Sequence, residues 1–217
     1  MPDSPPLIAQ DISRSYGKFL ALAPVDLIIH EGEIVVLTGP NGAGKTTLLH
    51  CLTGLLRPST GRVSIAGYDL YAEERQAKRH LAFVPDVPRF YSELTAWEHL
   101  QFIALAHDAD KGFPERAEKL LRQFGLWEAR DMYPHNYSRG MRLKLGLLMA
   151  LIRPFNALLL DEPTSALDSE STSLLLALLD SLRSQGVGIL FSTHNPDIAH
   201  GLADRQLKMR SGQLEAD

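Results

Sequence analysis

The stretch that decides the fold reads Gly39-Pro40-Asn41-Gly42-Ala43-Gly44-Lys45-Thr46-Thr47. It follows an apolar, strand-like run at 33–38 and opens a helix-like run at 46–49. Glycines let the backbone curl so that successive N–H groups point at a phosphate, and the helix that follows aims its positive end at the same anion. In the motif G-x-x-x-x-G-K-[ST], the lysine reaches the β- and γ-phosphates and the hydroxyl residue a bound Mg²⁺. The nine residues therefore predict a nucleotide-binding loop, with Lys45 on the phosphates and Thr46 on the metal.

The composition is that of an ordinary globular protein. The 217 residues are 45% hydrophobic and 22% charged, which is enough for a buried core in one domain. Lys and Arg number 22 against 26 Asp and Glu, a net charge of -4, so no overall positive field attracts a nucleic acid. We therefore expect no nucleic-acid partner. The single cysteine, Cys51, cannot form an internal disulfide, and its place on the apolar face of a helix predicts burial.

The sequence predicts no membrane span. Residues 1–6 have neither a basic start nor an apolar run, so they do not form a signal peptide. The longest apolar stretch, 143–160, is interrupted by Lys144, Arg153 and Pro154. We therefore expect any membrane role to come through a partner.

Strand-like runs around the loop predict an α/β fold. Three short runs separated by turn signals suggest an antiparallel patch, at 7–13, 25–29 and 61–65. Three further runs are continuously apolar, as expected of parallel strands covered on both faces, at 81–84, 157–160 and 188–191. The predicted fold class is a P-loop NTPase with a mostly parallel core sheet and an N-terminal antiparallel β subdomain.

Helical patterns occupy much of the remaining chain. From 95 to 152 the pattern is helical without a convincing strand, which predicts a helical subdomain inserted between two core strands. A leucine stripe at 169–184 predicts an amphipathic helix packed on the sheet. We therefore expect one domain, with a nucleotide-binding core at about 1–85 and 156–217 and a helical subdomain at about 86–155.

Two adjacent carboxylates, Asp161 and Glu162, follow the apolar run at 158–160. Successive side chains of a strand point in different directions, so the two acids can have different tasks. Asp161 can hold the Mg²⁺ shell beside Thr46, while Glu162 orients and deprotonates a water for in-line attack on the γ-phosphate. Such a pair standing alone more often begins a solvated loop, but downstream of a phosphate-binding loop we favour the catalytic interpretation. Lys45 belongs to the same catalytic set, and the sequence suggests no structural partner for it.

A third motif lies at 136–144, where Ser138 has the place of an N-cap before a helix. A hydroxyl, the flexible Gly140 and exposed N–H groups at a helix start make a second anion site. One phosphate-binding loop does not need a second site, so this motif implies a nucleotide contact supplied to another copy. The alternative is ordinary helix capping.

The order of loop, Ser138 motif and acidic strand end resembles that of the ATP-binding cassette (ABC) ATPases over nearly the whole chain. By that resemblance, the ring of Tyr16 stacks on adenine. The signature loop, which contacts ATP, contains Ser138, Gly140 and Met141. Residues 165–168 resemble the loop that crosses the dimer interface.

The resemblance also gives His194 a role, that of the switch histidine that donates an N–H to the γ-phosphate. Capping rules start a helix at Asn195-Pro196-Asp197, which would fix His194 at a strand exit. His194 therefore joins Glu162 and Lys45 as a candidate catalytic residue.

The resemblance implies a head-to-tail dimer of two ABC subunits, identical or different, that encloses two ATP molecules and their Mg²⁺. It also implies a separate transmembrane permease subunit as partner. The chain would then be cytoplasmic and peripheral on the inner face of the cell membrane. The segment 85–95 resembles that of cassettes serving ABC-2-type exporters, while the cargo is not given by the sequence.

Two features depart from the family pattern. Asp86 stands where a glutamine usually touches Mg²⁺ or its water, so Asp86 is a candidate metal ligand that adds negative charge near the γ-phosphate. Tyr137 and Arg139 stand where leucine and glycine are usual, while Ser138 and Gly140 remain. We therefore expect the ATP sandwich to form and Asp86 to alter hydrolysis or coupling.

Other functions of this fold fit less well. A cassette of chromosome or repair machinery needs a long coiled coil between Lys45 and Ser138, and the sequence has no heptads there. Translation factors of the family carry two cassettes, and a kinase would make Glu162 redundant. A soluble ABC ATPase of an assembly complex, such as iron–sulfur cluster assembly, is the alternative that stays open.

Overall fold

The computed structural model describes residues 4–195 and 201–215. The described chain forms two compact units. The first takes in the described residues of Met1–Phe83, Phe155–Glu162 and Leu175–Asp217, and the second Val84–Pro154 and Pro163–Leu174. The sequence places 163–174 with the core, whereas the structure groups these residues with the helical unit. The helix start expected at Asn195-Pro196-Asp197 falls partly outside the described residues.

The strands in chain order are β1 (Leu7–Tyr16), β2 (Phe19–Ile29), β3 (Ile34–Thr38), β4 (Thr60–Ile65), β5 (Tyr68–Asp69), β6 (Leu81–Val84), β7 (Ala157–Asp161), β8 (Gly188–Thr193), β9 (Arg205–Arg210) and β10 (Gln213–Glu215). The helices are α1 (Lys45–Thr53), α2 (Glu74–Arg79), α3 (Ala96–Ala106), α4 (Phe113–Gln123), α5 (Arg139–Leu151) and α6 (Ser169–Ser184). Strands and helices alternate along much of the chain, which confirms the predicted α/β class.

The first sheet has the strand order β2-β1-β4-β5 and is the predicted antiparallel patch. β1 and β2 are longer than their apolar runs suggest. Their pairing has register shifts between Ala9 and Ile12, between Ile12 and Arg14, and between Arg14 and Ser15. Each shift interrupts the period-two alternation by which a half-buried strand is recognised in a sequence.

The second sheet has the order β10-β9-β3-β8-β7-β6 and carries the site. β3 pairs in parallel with β8 and β9, and β7 pairs in parallel with β8. β7 and β8 are buried along their whole length, as the apolar runs predict. Because parallel strands end at one edge of the sheet, the residues that follow Thr38, Asp161 and Thr193 meet there.

α1 packs its apolar face into the core of the first unit. Leu48, Leu49, Cys51 and Leu52 are all fully buried and belong to one hydrophobic cluster with residues of β1, β3 and β4. Fully burying a leucine side chain stabilises the fold by about 1.5 to 3 kcal/mol. This burial confirms the prediction for Cys51 and raises the pKa of its thiol to about 11. The helix that follows the loop is therefore anchored in the core of the first unit.

The second unit is helical, and its described residues between 85 and 154 contain no strand. α3 begins with a capping box, in which the Thr95 hydroxyl accepts the N–H of Glu98 and the Glu98 carboxylate accepts the N–H of Thr95. Two 3₁₀ turns, Trp127–Ala129 and Pro134–Asn136, lead to α5. In the part of the chain that the structure describes, no helix is both long and apolar enough to cross a membrane.

Candidate nucleotide-binding site

The loop between β3 and α1 adopts backbone conformations that favour glycine. Gly39 has φ 151° and Gly44, the N-cap of α1, has φ 108°. A Cβ on Gly39 would collide with the carbonyl oxygen of Met209. No side chain among the described residues caps α1, and its first turn has no acidic residue. The N–H groups at the start of α1 can therefore face an anion.

Lys45 is the first residue of α1 and is only 6% exposed. Its Nζ donates to the carbonyl oxygens of Gly39 at 2.7 Å and Pro40 at 3.4 Å. It also lies 3.3 Å from Oε1 of Glu162. The sequence suggests no structural partner for Lys45, whereas in the structure the buried ammonium finds partners in the curled loop and in Glu162.

Asp161 ends β7 and is 3% exposed. Its Oδ2 accepts the Thr46 hydroxyl at 2.8 Å, and its Oδ1 accepts the Ser192 hydroxyl at 2.7 Å. The structure thus brings together Thr46 and Asp161, the two residues predicted beside the metal. Ser192, the residue of β8 that completes this arrangement, is missing from the predicted site. Its position at the end of a neighbouring parallel strand is the signal that identifies it.

Glu162 leaves the strand in an unusual backbone conformation. Its φ is 47°, in the left-handed region that costs a residue other than glycine about 1 to 3 kcal/mol. The N–H of Glu162 donates to the Ser192 hydroxyl at 3.0 Å, which holds this conformation. The carboxylate is largely buried, with a side chain 14% exposed. The turn after β7 therefore directs the Glu162 side chain away from the direction that it would have if the strand continued.

Glu162 lies between the side chains of Lys45 and His194. Oε2 is 2.9 Å from Nδ1 of His194, which directly follows β8 and is exposed. Oε1 forms the ion pair with Lys45 but accepts no hydrogen bond from the described residues. The three predicted catalytic residues therefore form one contiguous group, and one buried carboxylate oxygen keeps its hydrogen-bonding capacity.

Tyr16 ends β1 and its side chain is half exposed. The Arg14 guanidinium lies 4.6 Å from the centre of the Tyr16 ring and donates through Nη1 to the carbonyl oxygen of Arg57. The adjoining strand β2 reaches the loop, since a Cβ on Gly44 would lie 3.3 Å from the carbonyl oxygen of Ala21. Tyr16 therefore presents an aromatic ring from the hairpin that borders the phosphate-binding loop.

The second unit contains the Ser138 motif. Ser138 is the N-cap of α5, as predicted, and its hydroxyl accepts the N–H of Met141 at 3.2 Å. A Cβ on Gly140 would lie 2.8 Å from the carbonyl oxygen of Ala166, so this close approach requires glycine. The Tyr137 ring is buried, its hydroxyl donates to the Ala129 carbonyl oxygen at 2.7 Å, and burial raises its pKa to about 12.

Asp86 also lies in the second unit, beside the start of α5. Its Oδ1 accepts the Ser165 hydroxyl at 2.6 Å and pairs with Nη2 of Arg139 at 3.2 Å. Arg139 therefore balances the negative charge that Asp86 brings. These partners were not foreseen from the sequence, and the assignment of Asp86 as a metal ligand stays a prediction.

The strand order around the loop, with an acid pair at the end of a parallel strand, defines the class of the protein as a P-loop nucleoside triphosphatase. The family described as ABC transporter matches residues 22–165. This chain belongs to the ABC transporter family and is one of its ATP-binding subunits. As a member of this family, the chain binds and hydrolyses ATP. The family match also confirms the resemblance to the ABC ATPases that the sequence motifs indicate.

Relatives within the family differ in the transport they serve. The chain is 35% identical over 209 residues to the SkfA peptide export ATP-binding protein SkfE of Bacillus subtilis, covering 96% of this chain and 87% of SkfE. It is 35% identical over 215 residues to the methionine import ATP-binding protein MetN of Bordetella avium, covering 94% of this chain. The chain spans only 59% of the length of MetN.

Solved structures show the same fold. An ATP-binding subunit of an ABC transporter superposes with a TM-score of 0.92 at 33% identity, covering 97% of this chain and 88% of that chain. A dimeric ATP-binding cassette in a post-hydrolysis state, bound to ADP and Pi, superposes with a TM-score of 0.88 at 26% identity, covering 97% of each chain.

Proposed function

We propose that this subunit hydrolyses ATP at a site completed by a second ABC subunit, and that the resulting change of conformation drives transport through a separate transmembrane permease. The observation that carries the proposal is the position of Glu162 between Lys45 and His194, at the end of the strand that presents Asp161 to Thr46.

The phosphates would lie in the loop at 39–47, with the Lys45 ammonium on the β- and γ-phosphates and the helix N–H groups around them. The adenine would stack on Tyr16, whose ring is accessible. In the structure, the Lys45 ammonium donates to two loop carbonyls and pairs with Glu162. A bound γ-phosphate would therefore compete with Glu162 for the ammonium.

The residues at the site fit Mg²⁺. Thr46 Oγ1 and Asp161 Oδ2 lie 2.8 Å apart and are the oxygen donors that a hard cation prefers. The described residues contain no cluster of three or more His, Cys, Asp or Glu side chains that could hold a metal ion. Mg²⁺ needs none, because it is held by one or two protein oxygens, substrate phosphates and water. When bound, Mg²⁺ neutralises charge that develops on the phosphates.

Glu162 would act as the general base. Its Oε1, which accepts no hydrogen bond from the described residues, would take a proton from the attacking water while the water oxygen bonds to the γ-phosphorus and the bond to the β-γ bridging oxygen breaks. The products are ADP and inorganic phosphate. His194 would hold Oε2 through Nδ1 and direct Nε2 towards the γ-phosphate.

The second unit would close the site of a neighbouring subunit. Ser138, Gly140 and Met141 would contact the ATP bound by the loop of the other cassette, as a single ABC domain in a head-to-tail dimer. The post-hydrolysis relative is a dimer. The permease would hold this chain on the cytoplasmic face of the cell membrane.

Complementation between two inactive variants tests the composite site. Ser138→Arg blocks the signature side of one subunit, and Glu162→Gln removes the base from the other. A mixture of the two contains heterodimers with one intact composite site, so we expect ATPase activity to return. Two Glu162→Gln preparations mixed together are the control. Activity that does not rise on mixing, although affinity capture of two differently tagged subunits shows heterodimers, contradicts the composite site.

Isolation of membranes from cells that express the tagged chain tests the transport role. We expect the chain to co-purify with a polytopic membrane protein. Recovery in a complex of soluble proteins alone would instead support an assembly ATPase.

A further inference from the structure

Three polar side chains from three separate segments meet in the second unit. Asp86 lies in the loop after β6, Arg139 is the first residue of α5, and Ser165 lies in the segment 163–168 before α6. Nη2 of Arg139 is 3.2 Å from Asp86 Oδ1 and 3.2 Å from Ser165 Oγ, and Ser165 Oγ donates to the same Oδ1 at 2.6 Å. The three contacts form a closed triangle that we name the Asp86 cluster.

The charges of this cluster depend on one another. Arg139 places a cation at the positive end of α5, and the first turn of α5 has no acidic residue of its own. Asp86 supplies the missing negative charge. An isolated exposed ion pair contributes little, but here one carboxylate oxygen accepts from both a guanidinium and a hydroxyl. Without Asp86, the Arg139 guanidinium would keep the Ser165 hydroxyl but would face the positive end of α5 with no balancing charge from this cluster.

A second contact joins the same segments. The close approach of Gly140 to the carbonyl oxygen of Ala166 brings the start of α5 against the segment 163–168. Ser138, directly before Arg139, caps the same helix turn. The Asp86 cluster therefore lies beside the turn 138–141, the part of this chain assigned to the ATP of the neighbouring subunit.

We propose that Asp86 and Arg139 are a matched pair of positioning residues, which with Ser165 hold the turn 138–141 in the position that engages the neighbouring subunit's ATP. This inference rests on the composite site of the proposed function. Asp86 acts through Arg139 and Ser165, and the two charged residues are useful only together. Loss of either charge leaves the other without its partner, whereas loss of both removes the mismatch.

A double-mutant cycle tests the pairing. The variants are Asp86→Ala, Arg139→Ala and the double variant, with Arg139→Lys as the conservative change and Arg142→Ala, one residue beyond the first turn of α5, as the control. We expect each single alanine variant to lower kcat by about tenfold, the worth of a hydrogen bond to a charged group. KM for ATP should change little, because the phosphate-binding loop lies in the other unit.

The double variant should be no less active than either single variant, and Arg139→Lys should recover part of the activity. Circular dichroism establishes that each variant is folded, and Asp86→Asn and Arg139→Gln replace any alanine variant that is not. Independent effects of the two substitutions, or a rise in KM without a fall in kcat, overturn the matched pair. A wild-type protein without ATPase activity overturns the proposed function itself, a result distinct from either.

Discussion

Nδ1 of His194 lies 2.9 Å from Oε2 of Glu162. An ionised carboxylate only accepts hydrogen bonds, so Nδ1 must carry the proton. Nε2 can then donate an N–H to a phosphate only in the imidazolium form, and in the neutral form it is an acceptor. The contact with Glu162 therefore determines which ring nitrogen of His194 carries a proton.

Glu162→Gln should keep ATP binding while lowering the ATPase rate by about 10²-fold or more, the usual contribution of a general base. The amide cannot take a proton from water, but it fills the same volume. Calorimetric titration with ATP and a phosphate-release assay measure the two quantities. Glu31→Gln, at an exposed position, is the matched control. A variant with wild-type turnover would remove Glu162 from the chemistry.

His194→Ala should lower kcat by about tenfold, because Oε2 loses its charge-assisted hydrogen bond and the carboxylate is no longer oriented. His194→Asn offers the informative comparison. The asparagine amide can donate in the place of Nδ1 but does not extend to Nε2. Recovery of activity in this variant assigns the role to orientation of Glu162, and failure to recover assigns it to the γ-phosphate contact.

Lys45→Ala should abolish ATP binding in a calorimetric titration, because the phosphates lose their only lysine in the loop. The substitution also removes the ion pair with Glu162 and two hydrogen bonds to the loop. We therefore expect a lower urea midpoint as well. Lys18→Ala, at an exposed turn, controls for the lost charge. Wild-type affinity in Lys45→Ala would contradict the assignment of the loop.

Much of the fold could be predicted because its signals are local. The loop and the runs of β7 and β8 are recognisable within ten residues of sequence, and so is the cap at Ser138. β9 is different, because Arg205–Arg210 is mostly polar and gains its place by pairing with β3 and β10. A strand whose stability comes from a distant partner leaves little pattern in its own sequence.

The candidate site, too, is predictable from the sequence only in part. The roles of Thr46 and Asp161 follow from motifs, whereas their contact spans 115 positions of the chain. The left-handed conformation of Glu162 depends on the Ser192 hydroxyl from another strand. The pairing of Asp86 with Arg139 joins two departures from the family pattern that the sequence presents as independent. Long-range geometry of this kind requires the structure.

Arg14→Ala should weaken ATP binding by about threefold, since an exposed cation–π pair is worth about 0.5 to 1 kcal/mol and Arg14 lies against the Tyr16 ring. The effect should be confined to the base. Tripolyphosphate, which has no adenine, should bind the variant and the wild type equally in a calorimetric titration. Arg62→Ala, on the exposed part of β4, is the control. Equal losses for both ligands would show that Arg14 acts on the phosphates.

The His99 side chain in α3 couples the stability of the second unit to pH. It is fully buried, its Nδ1 contacts the Thr95 carbonyl oxygen at 2.8 Å, and its Nε2 accepts the N–H of Tyr91 at 3.0 Å. A carbonyl only accepts, so Nδ1 donates and the ring is neutral. The rings of Phe90 and Tyr91 pack against it, and among the described residues the charged group that acts on the ring is the neighbouring Glu98.

Burial lowers the pKa of His99 below its ordinary value of 6.5, because the interior disfavours the imidazolium form. The unfolded chain therefore binds a proton at His99 more readily than the folded chain does. The stability that neutral His99 contributes is fully present above about pH 6.5 and is lost as the pH falls below that value. Urea unfolding at about pH 8 and about pH 5.5 measures the loss.

His99→Gln removes the titrating group and retains an amide that can donate to Thr95 and accept from Tyr91. We expect the variant to be less stable than the wild type at high pH and to lose less stability on acidification. His135→Gln, an exposed histidine of the same unit, should leave the wild-type pH dependence unchanged. If the wild type and His99→Gln lose equal stability between the two pH values, the proton is taken up elsewhere and His99 is not the coupled group.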